Sequence, residues 1–270
     1  MLKICDAHND FLFKVKTKLD VEKYFKSLPK NIEKIFCAYF SYNNAKNVNV
    51  EDMKLKFSYL SNILAVKTVE NCWFLDKTNI DKFVSARPFC ATLSHNENNK
   101  LCGGAFGYGG LTNWGIDVVK IFQNNKIVVD TAHMNQKSFW EFIDLNEKPI
   151  MNSHTGFQSV FKHKRNISDS QIKEIIQSDG YIGLALYPDF FTNRQLSTTK
   201  LCEIICWFWD KFGTKTLGLG TDFNGIEKYP KDIKNYDDLK ILEQELFKFG
   251  ATKEDIENLF SENLLSFMKK

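Results

Sequence analysis

The chain has no apolar run approaching 18 residues, no Cys-x-x-Cys pair, no block of like charge, no low-complexity linker and no repeat. The first absence excludes a helix long enough to span a bilayer, for which about 18 to 20 apolar residues are needed. With the charged motif already reached at Asp6, no signal peptide is expected. Seven cysteines, an odd number at irregular spacings, do not read as a disulfide framework, and the missing Cys-x-x-Cys removes a zinc-ribbon site. The expected compartment is therefore cytoplasmic, with no membrane partner. Charge is equally unhelpful to a nucleic-acid reading: 36 basic and 33 acidic residues are interspersed, for a net charge of +3, and leave no basic footprint.

What is present is enough apolar material for a large core. The 270 residues are 43% hydrophobic and include 24 Phe. Apolar runs of strand length alternate with amphipathic stretches of helix length, the pattern of parallel-sheet units. Eight strands are expected: Leu2 to Ala7, Ile35 to Phe40, Ile63 to Val69, Phe89 to Ser94, Lys126 to Thr131, Pro149 to Ser153, Tyr181 to Tyr187 and Thr216 to Thr221. Ser168-Asp169-Ser170-Gln171 reads as a capping box opening a helix to about Ser178, before Gly180. Thr112 or Asn113 could cap a helix with Val118, Val119, Ile121 and Phe122 inward. Leu201 to Phe212 and Leu239 to Phe249 read as helices stopped by Gly213 and Gly250, and a last helix runs from about Lys253 to Met268.

Eight strands alternating with helices suggest one closed (β/α)8 barrel of the TIM type spanning 1–270, since such barrels commonly need about 250 residues as a single domain. Its chemistry belongs at the C-terminal strand ends. His8 and Asp10 follow the first strand and, two residues apart on an extended chain, point the same way. Glu70 follows the third, His95 the fourth, His133 the fifth, His154 the sixth and Asp222 the eighth. The second and seventh strands supply no ionisable candidate. A single buried histidine is more often a satisfied core residue than a ligand. Here four of the chain's five histidines fall on one predicted rim with three carboxylates, while His163 lies in a loop beside Lys162, Lys164 and Arg165. Buried charges are expensive unless paired or bound to metal. There are donors enough for two divalent ions, with Glu70 bridging, and two such ions can share a hydroxide and clamp a carbonyl oxygen. That is hydrolytic machinery.

These residues also carry a resemblance. Asp6-Ala7-His8-Asn9-Asp10, Val69-Glu70-Asn71, Leu93-Ser94-His95-Asn96-Glu97-Asn98, Gly110-Leu111-Thr112, Val129-Asp130-Thr131-Ala132-His133, Asn152-Ser153-His154-Thr155, Lys164-Arg165-Asn166-Ile167-Ser168-Asp169 and Gly220-Thr221-Asp222-Phe223 stand in the order seen in the membrane dipeptidase (renal dipeptidase) family of zinc peptidases. The chain departs from that family's usual pattern at Ala7, where Gly is usual, and at Asn224, where Asp is frequent. The resemblance implies a binuclear amidohydrolase-type barrel with two Zn2+ per chain that cleaves dipeptides, L,L or L,D. It implies that His8 and Asp10 bind one zinc, that Glu70 bridges, and that His133 and His154 bind the other. Arg165 would receive the substrate's C-terminal carboxylate, His95 would bind the carbonyl oxygen that becomes the oxyanion, and Asp222 would move the proton of the attacking water and contact the substrate amine. From the residues alone Asp222 reads as a metal ligand; the resemblance gives it acid/base work. A homodimer is likewise implied at the family level.

Two rival functions remain open to the sequence. Another binuclear metal amidohydrolase, acting on an N-acyl amino acid, a cyclic amide or a lactone, would keep the metals, and a non-catalytic barrel would keep only the fold. The stretch Gly103-Gly104-Ala105-Phe106-Gly107-Tyr108-Gly109-Gly110 superficially resembles a phosphate cradle, but it has no P-loop lysine and is expected to be a flexible loop near the site mouth. Trp207-Phe208-Trp209 is expected to cover the barrel or fill a subunit interface. The cysteines at 5, 37, 72, 90, 102, 202 and 206 are expected to be buried fillers.

Overall fold

Short buried strands followed by helices recur along all described residues, 2–270, of the computed structural model. The strands are β1 (Ile4–Asn9), β2 (Ile32–Phe40), β3 (Ala65–Glu70), β4 (Cys90–Thr92), β5 (Val128–Asp130), β6 (Met151–Thr155), β7 (Tyr181–Leu184) and β8 (Leu217–Leu219). They form one sheet in the order β1 to β8, and the fold is the expected (β/α)8 barrel. The ends differ from expectation for local reasons. β2 starts three residues early because Glu33 and Lys34 interrupt the apolar run while staying half-buried in the strand. β3 starts late because Ile63 is 83% exposed.

The chain falls into two compact units: one holds the chain up to Asn9, Ser27–Ile35 and Ser153–Lys270, the other Asp10–Lys26 and Phe36–Asn152. In the first unit β7 and β8 pair in parallel, with Gly183 opposite Gly218. A Cβ on Gly183 or Gly220 would lie 1.7 or 1.8 Å from the Ser153 carbonyl oxygen, so only glycine lets the backbone of β6 approach this closely. β1 and β8 meet through a parallel bridge between Asn9 and Phe223. Beneath that bridge Asp6 gathers donors. Its carboxylate accepts from the Thr221 N–H (2.8 Å) and hydroxyl (2.6 Å), the Tyr236 hydroxyl (2.6 Å) and the His8 N–H (3.2 Å). Burial still pushes its pKa above the usual carboxylate value, against the pull of those donors.

The last helix is not continuous. An α-helical turn at Lys253–Glu257 passes into a π-helical turn at Asn258–Glu262 before Asn263–Phe267 resumes the α form. Buried polar side chains explain the break: Asn263 Nδ2 donates to the carbonyls of Thr214 and Leu217, both at 2.7 Å, and pins the helix to the start of β8.

In the second unit β3, β4 and β5 run parallel in register, Val69 beside Ala91 and Ala91 beside Val129. The helix Asn113–Asn124 is capped by Thr112, whose hydroxyl accepts from the Gly115 N–H, and buries Val118, Val119 and Phe122. Phe122 stacks on Phe83 at 5.2 Å. The glycine-rich stretch corrects an expectation. It is tied down: the Gly103 N–H donates to Gly110 O, Gly104 bridges Met134, and Gly103 O accepts from the Ser138 hydroxyl at 2.8 Å. Gly104 is there for close packing, since a Cβ on it would sit 2.3 Å from the His95 carbonyl oxygen, whereas Gly109 serves a left-handed turn at φ +81°.

The cysteines are free and buried except Cys206, which is half-buried. Trp207 is half-buried against Phe157 and Phe212, ring centres 5.7 and 5.9 Å away. Among the described residues no helix is long and apolar enough to cross a membrane.

Candidate metal centre and catalytic site

In the second unit the site grows from the ends of β3, β4 and β5. Glu70 is the last residue of β3, and the chain turns at once through Asn71, whose φ of +68° lies in the left-handed region that asparagine tolerates. Asn71 is held on every side. Its N–H donates to the Thr92 hydroxyl (2.8 Å), and its side-chain amide donates to Ser41 O (2.8 Å) and to Asn43 Oδ1 (3.0 Å) while accepting from Asn99 Nδ2 (3.0 Å). The turn that aims Glu70 is thereby fixed by residues from beyond β2 and β4.

His133 follows β5 with φ +68°. Its Nε2 lies 2.7 Å from Glu70 Oε1, and both side chains are 5% exposed. Its Nδ1 lies 3.0 Å from Asn96 Oδ1. The ring of His95 lies over that of His133 at 4.3 Å, and Phe40 flanks His95 at 4.9 Å. Glu70, His95 and His133 each present a ligand atom, all within 4.8 Å of one another. Asp10, just past β1, is buried as well.

The first unit carries the other candidates. His8 on β1 and His154 on β6 face each other with ring centres 3.8 Å apart. His154 Nδ1 is 2.9 Å from the Ser153 hydroxyl. Arg165 is buried, donates from Nη2 to the His154 carbonyl (3.1 Å), and lies 5.4 Å from the centre of the Phe190 ring. Its own N–H donates to His163 Nδ1, which places the fifth histidine as a support for the arginine. Burial and the Arg165 charge hold His163 below the ordinary imidazole value. Asp222 turns through φ +62° after β8, and its N–H donates to His8 O at 3.2 Å. Burial and then the Asp222 charge raise the phenol of Tyr229, while burial and then the hydrogen bond and charge of Asp189 push that of Tyr187 up to about 12.

The donor set of the second unit suits a divalent ion. Imidazole nitrogen and carboxylate oxygen are zinc's ordinary protein ligands, and an Nδ1 hydrogen bonded to an amide oxygen leaves Nε2 as the coordinating atom. Three of the strand-end residues, Asn71, His133 and Asp222, sit at positive φ, where a non-glycine backbone is held only by surrounding structure.

The model of the membrane dipeptidase family, peptidase family M19, matches residues 61–270. The chain belongs to this family. Among curated proteins it is similar to an uncharacterized dipeptidase of Schizosaccharomyces pombe, 29% identical over 66% of this chain and 45% of that protein. It is also similar to the dipeptidase aclJ of Aspergillus oryzae, 25% identical over 58% of this chain and 38% of that one. The chain thus spans about half the length of the curated relatives it matches or less. A metallo peptidase of Rhodobacter sphaeroides, solved with a phosphinate mimic of the dipeptide L-Ala-D-Ala, shares the fold with a TM-score of 0.81 at 17% identity, over 99% of both chains. The probable dipeptidase PvdM of Pseudomonas aeruginosa gives 0.82 at 15% identity, over 99% of this chain and 94% of that one.

Against that family, what sequence reasoning missed is the layer behind the candidates. It comprises Asn96 behind His133, Asn71 and Asn99 behind Glu70, and the Asp6 hub beside β8. The signal for Asn71 was its type: directly after a strand-end carboxylate, asparagine is the side chain suited to a left-handed turn.

Proposed function

We propose that the chain is a metal-dependent dipeptidase whose ligands are His8, Asp10, Glu70, His133 and His154. The observation that carries this reading is the buried contact of His133 Nε2 with Glu70 Oε1 at 2.7 Å, in a protein of the membrane dipeptidase family. Zn2+ held by this set would lower the proton affinity of a water and polarise the scissile carbonyl.

The remaining work falls to the chain's own side chains. Arg165 binds the substrate's terminal carboxylate: its bond to His154 O fixes the plane of the guanidinium, and a planar fork matches a carboxylate. His95, held between Phe40 and His133, donates to the carbonyl oxygen as negative charge builds on it. Asp222 accepts the proton of the attacking water, passes it to the leaving nitrogen, and faces the substrate's amine. Fixing both ends of the substrate favours dipeptides over longer peptides.

The test is hydrolysis of a panel of L,L- and L,D-dipeptides by zinc-loaded protein, repeated after chelation. Cleavage that chelation abolishes and zinc restores supports the reading. Zinc binding without dipeptide cleavage, but with turnover of an N-acyl amino acid, a cyclic amide or a lactone, would replace it with the other amidohydrolase reading.

A further inference from the structure

We infer that Asn96 is a positioning residue for the candidate metal centre, fixing the tautomer and orientation of His133, and that the glycine-rich segment 103–110 holds Asn96 in place. This rests on the ligand set proposed above. The amide oxygen of Asn96 can only accept, so at 3.0 Å it requires the proton on His133 Nδ1 and leaves Nε2, 2.7 Å from Glu70 Oε1, as the coordinating atom. The left-handed backbone at His133 gives the ring no helical or strand ladder to hold it, so its direction depends on what the side chain touches.

Asn96 is in turn placed by its backbone. Its carbonyl accepts from the Phe106 N–H at 2.7 Å, and the Asn98 side chain accepts from the Tyr108 N–H at 2.9 Å. Gly104 passes directly beneath: a Cβ there would lie 2.3 Å from His95 O, 2.4 Å from Glu97 O and 2.7 Å from the Asn96 carbonyl carbon. All of these are backbone atoms, which cannot rotate away. The glycines thus buttress the 95–98 turn, which gives the stretch a purpose that neither a phosphate cradle nor a flexible loop explains.

Outer partners of ligating histidines typically change metal affinity about 10- to 100-fold when removed. The experiment is zinc competition against a chromogenic chelator on the full chain, with circular dichroism to check folding, for wild type, Asn96→Leu, Asn96→Asp and Gly104→Ala. Asn96→Leu keeps the size but removes the acceptor, and is expected to weaken the tighter-responding zinc about 10- to 100-fold. Asn96→Asp keeps an acceptor and is expected to stay within a few-fold of wild type, which a purely space-filling role would not predict. Gly104→Ala is expected to fall with Asn96→Leu. If Asn96→Leu folds and binds zinc like wild type, or if Asn96→Asp falls as far as Asn96→Leu, the inference is overturned while the dipeptidase reading stands. If wild type itself takes up no zinc, the ligand set is overturned and the inference with it.

Discussion

Replacing Arg165 with alanine separates a substrate-binding arginine from a merely structural one. The side chain is 5% exposed, stacked near Phe190 and bonded to the His154 carbonyl. A carboxylate gripped by its fork would make two hydrogen bonds to a charged donor, each contributing about 1.5 to 3 kcal/mol. Losing both should cost about 3 to 5 kcal/mol, or roughly 10² to 10³-fold or somewhat more in kcat/KM. The same dipeptide with its C-terminus amidated has no carboxylate to lose. It should suffer only the smaller effect of leaving the His154 carbonyl without this partner, about 1 kcal/mol and under about tenfold. The assay is steady-state hydrolysis of matched acid and amide substrates by wild type and Arg165→Ala. Preference for the acid should collapse in the variant, and Arg165→Lys should recover part of it, as a point charge without the fork. Equal losses on acid and amide would refute the assignment and leave Arg165 as a brace for β6.

Other perturbations test the frame. Gly183→Ala places a methyl 1.7 Å from the Ser153 carbonyl and should lower stability by about 3 kcal/mol or more in urea denaturation; an unchanged midpoint would mean that β6 can move away. Tyr236→Phe removes a 2.6 Å donor from buried Asp6 and an acceptor from Asn9 Nδ2, and should cost about 1 to 3 kcal/mol in the same measurement, against no change if the hub is inert. The thiols of Cys5, Cys102 and Cys202 are pushed up to about 12, first by burial. In the unfolded chain they lose protons above about 8.5, so the folded form holds more protons between those values. Stability contributed by the neutral thiols should thus be complete below about pH 8.5 and fall as pH rises toward 12, by about 1.4 kcal/mol per pH unit per thiol, and serine variants should flatten the decline. A decline as steep in the variants would place its cause elsewhere.

Strand existence was legible because barrel strands are buried on both faces and so read as unbroken apolar runs. Their ends were less so: Glu33 and Lys34 hid the start of β2, and Ile63, apolar but outside, lent β3 a false start. Helix punctuation was readable where chemistry is local. The Ser168–Gln171 capping box forms as read, and Gly213 and Gly250 close their helices at positive φ. The π-helical turn was not readable, because it answers to carbonyls of Thr214 and Leu217 far from Asn263 in sequence. The same distinction runs through the site. The strand-end rule nominates His8, Asp10, Glu70, His95, His133, His154 and Asp222, since it needs only the order of elements, whereas Arg165 comes from the resemblance alone. The rule could not find Asn96 or Asn71, whose partners are set by how loops from different strands meet. The second strand, which offers no ionisable candidate, supplies such support through Ser41, whose carbonyl holds Asn71.

The central claim is that bound metal on this ligand set drives dipeptide cleavage. Its most direct test is a zinc titration of chelator-stripped protein, reading dipeptide hydrolysis and bound metal together, with His133→Ala beside wild type. Activity that rises from near zero and saturates at two zincs per chain, with fewer zincs and a much lower plateau for the variant, is the predicted result. Hydrolysis that persists in stripped protein, or a His133→Ala chain that binds two zincs as tightly as wild type, would contradict it.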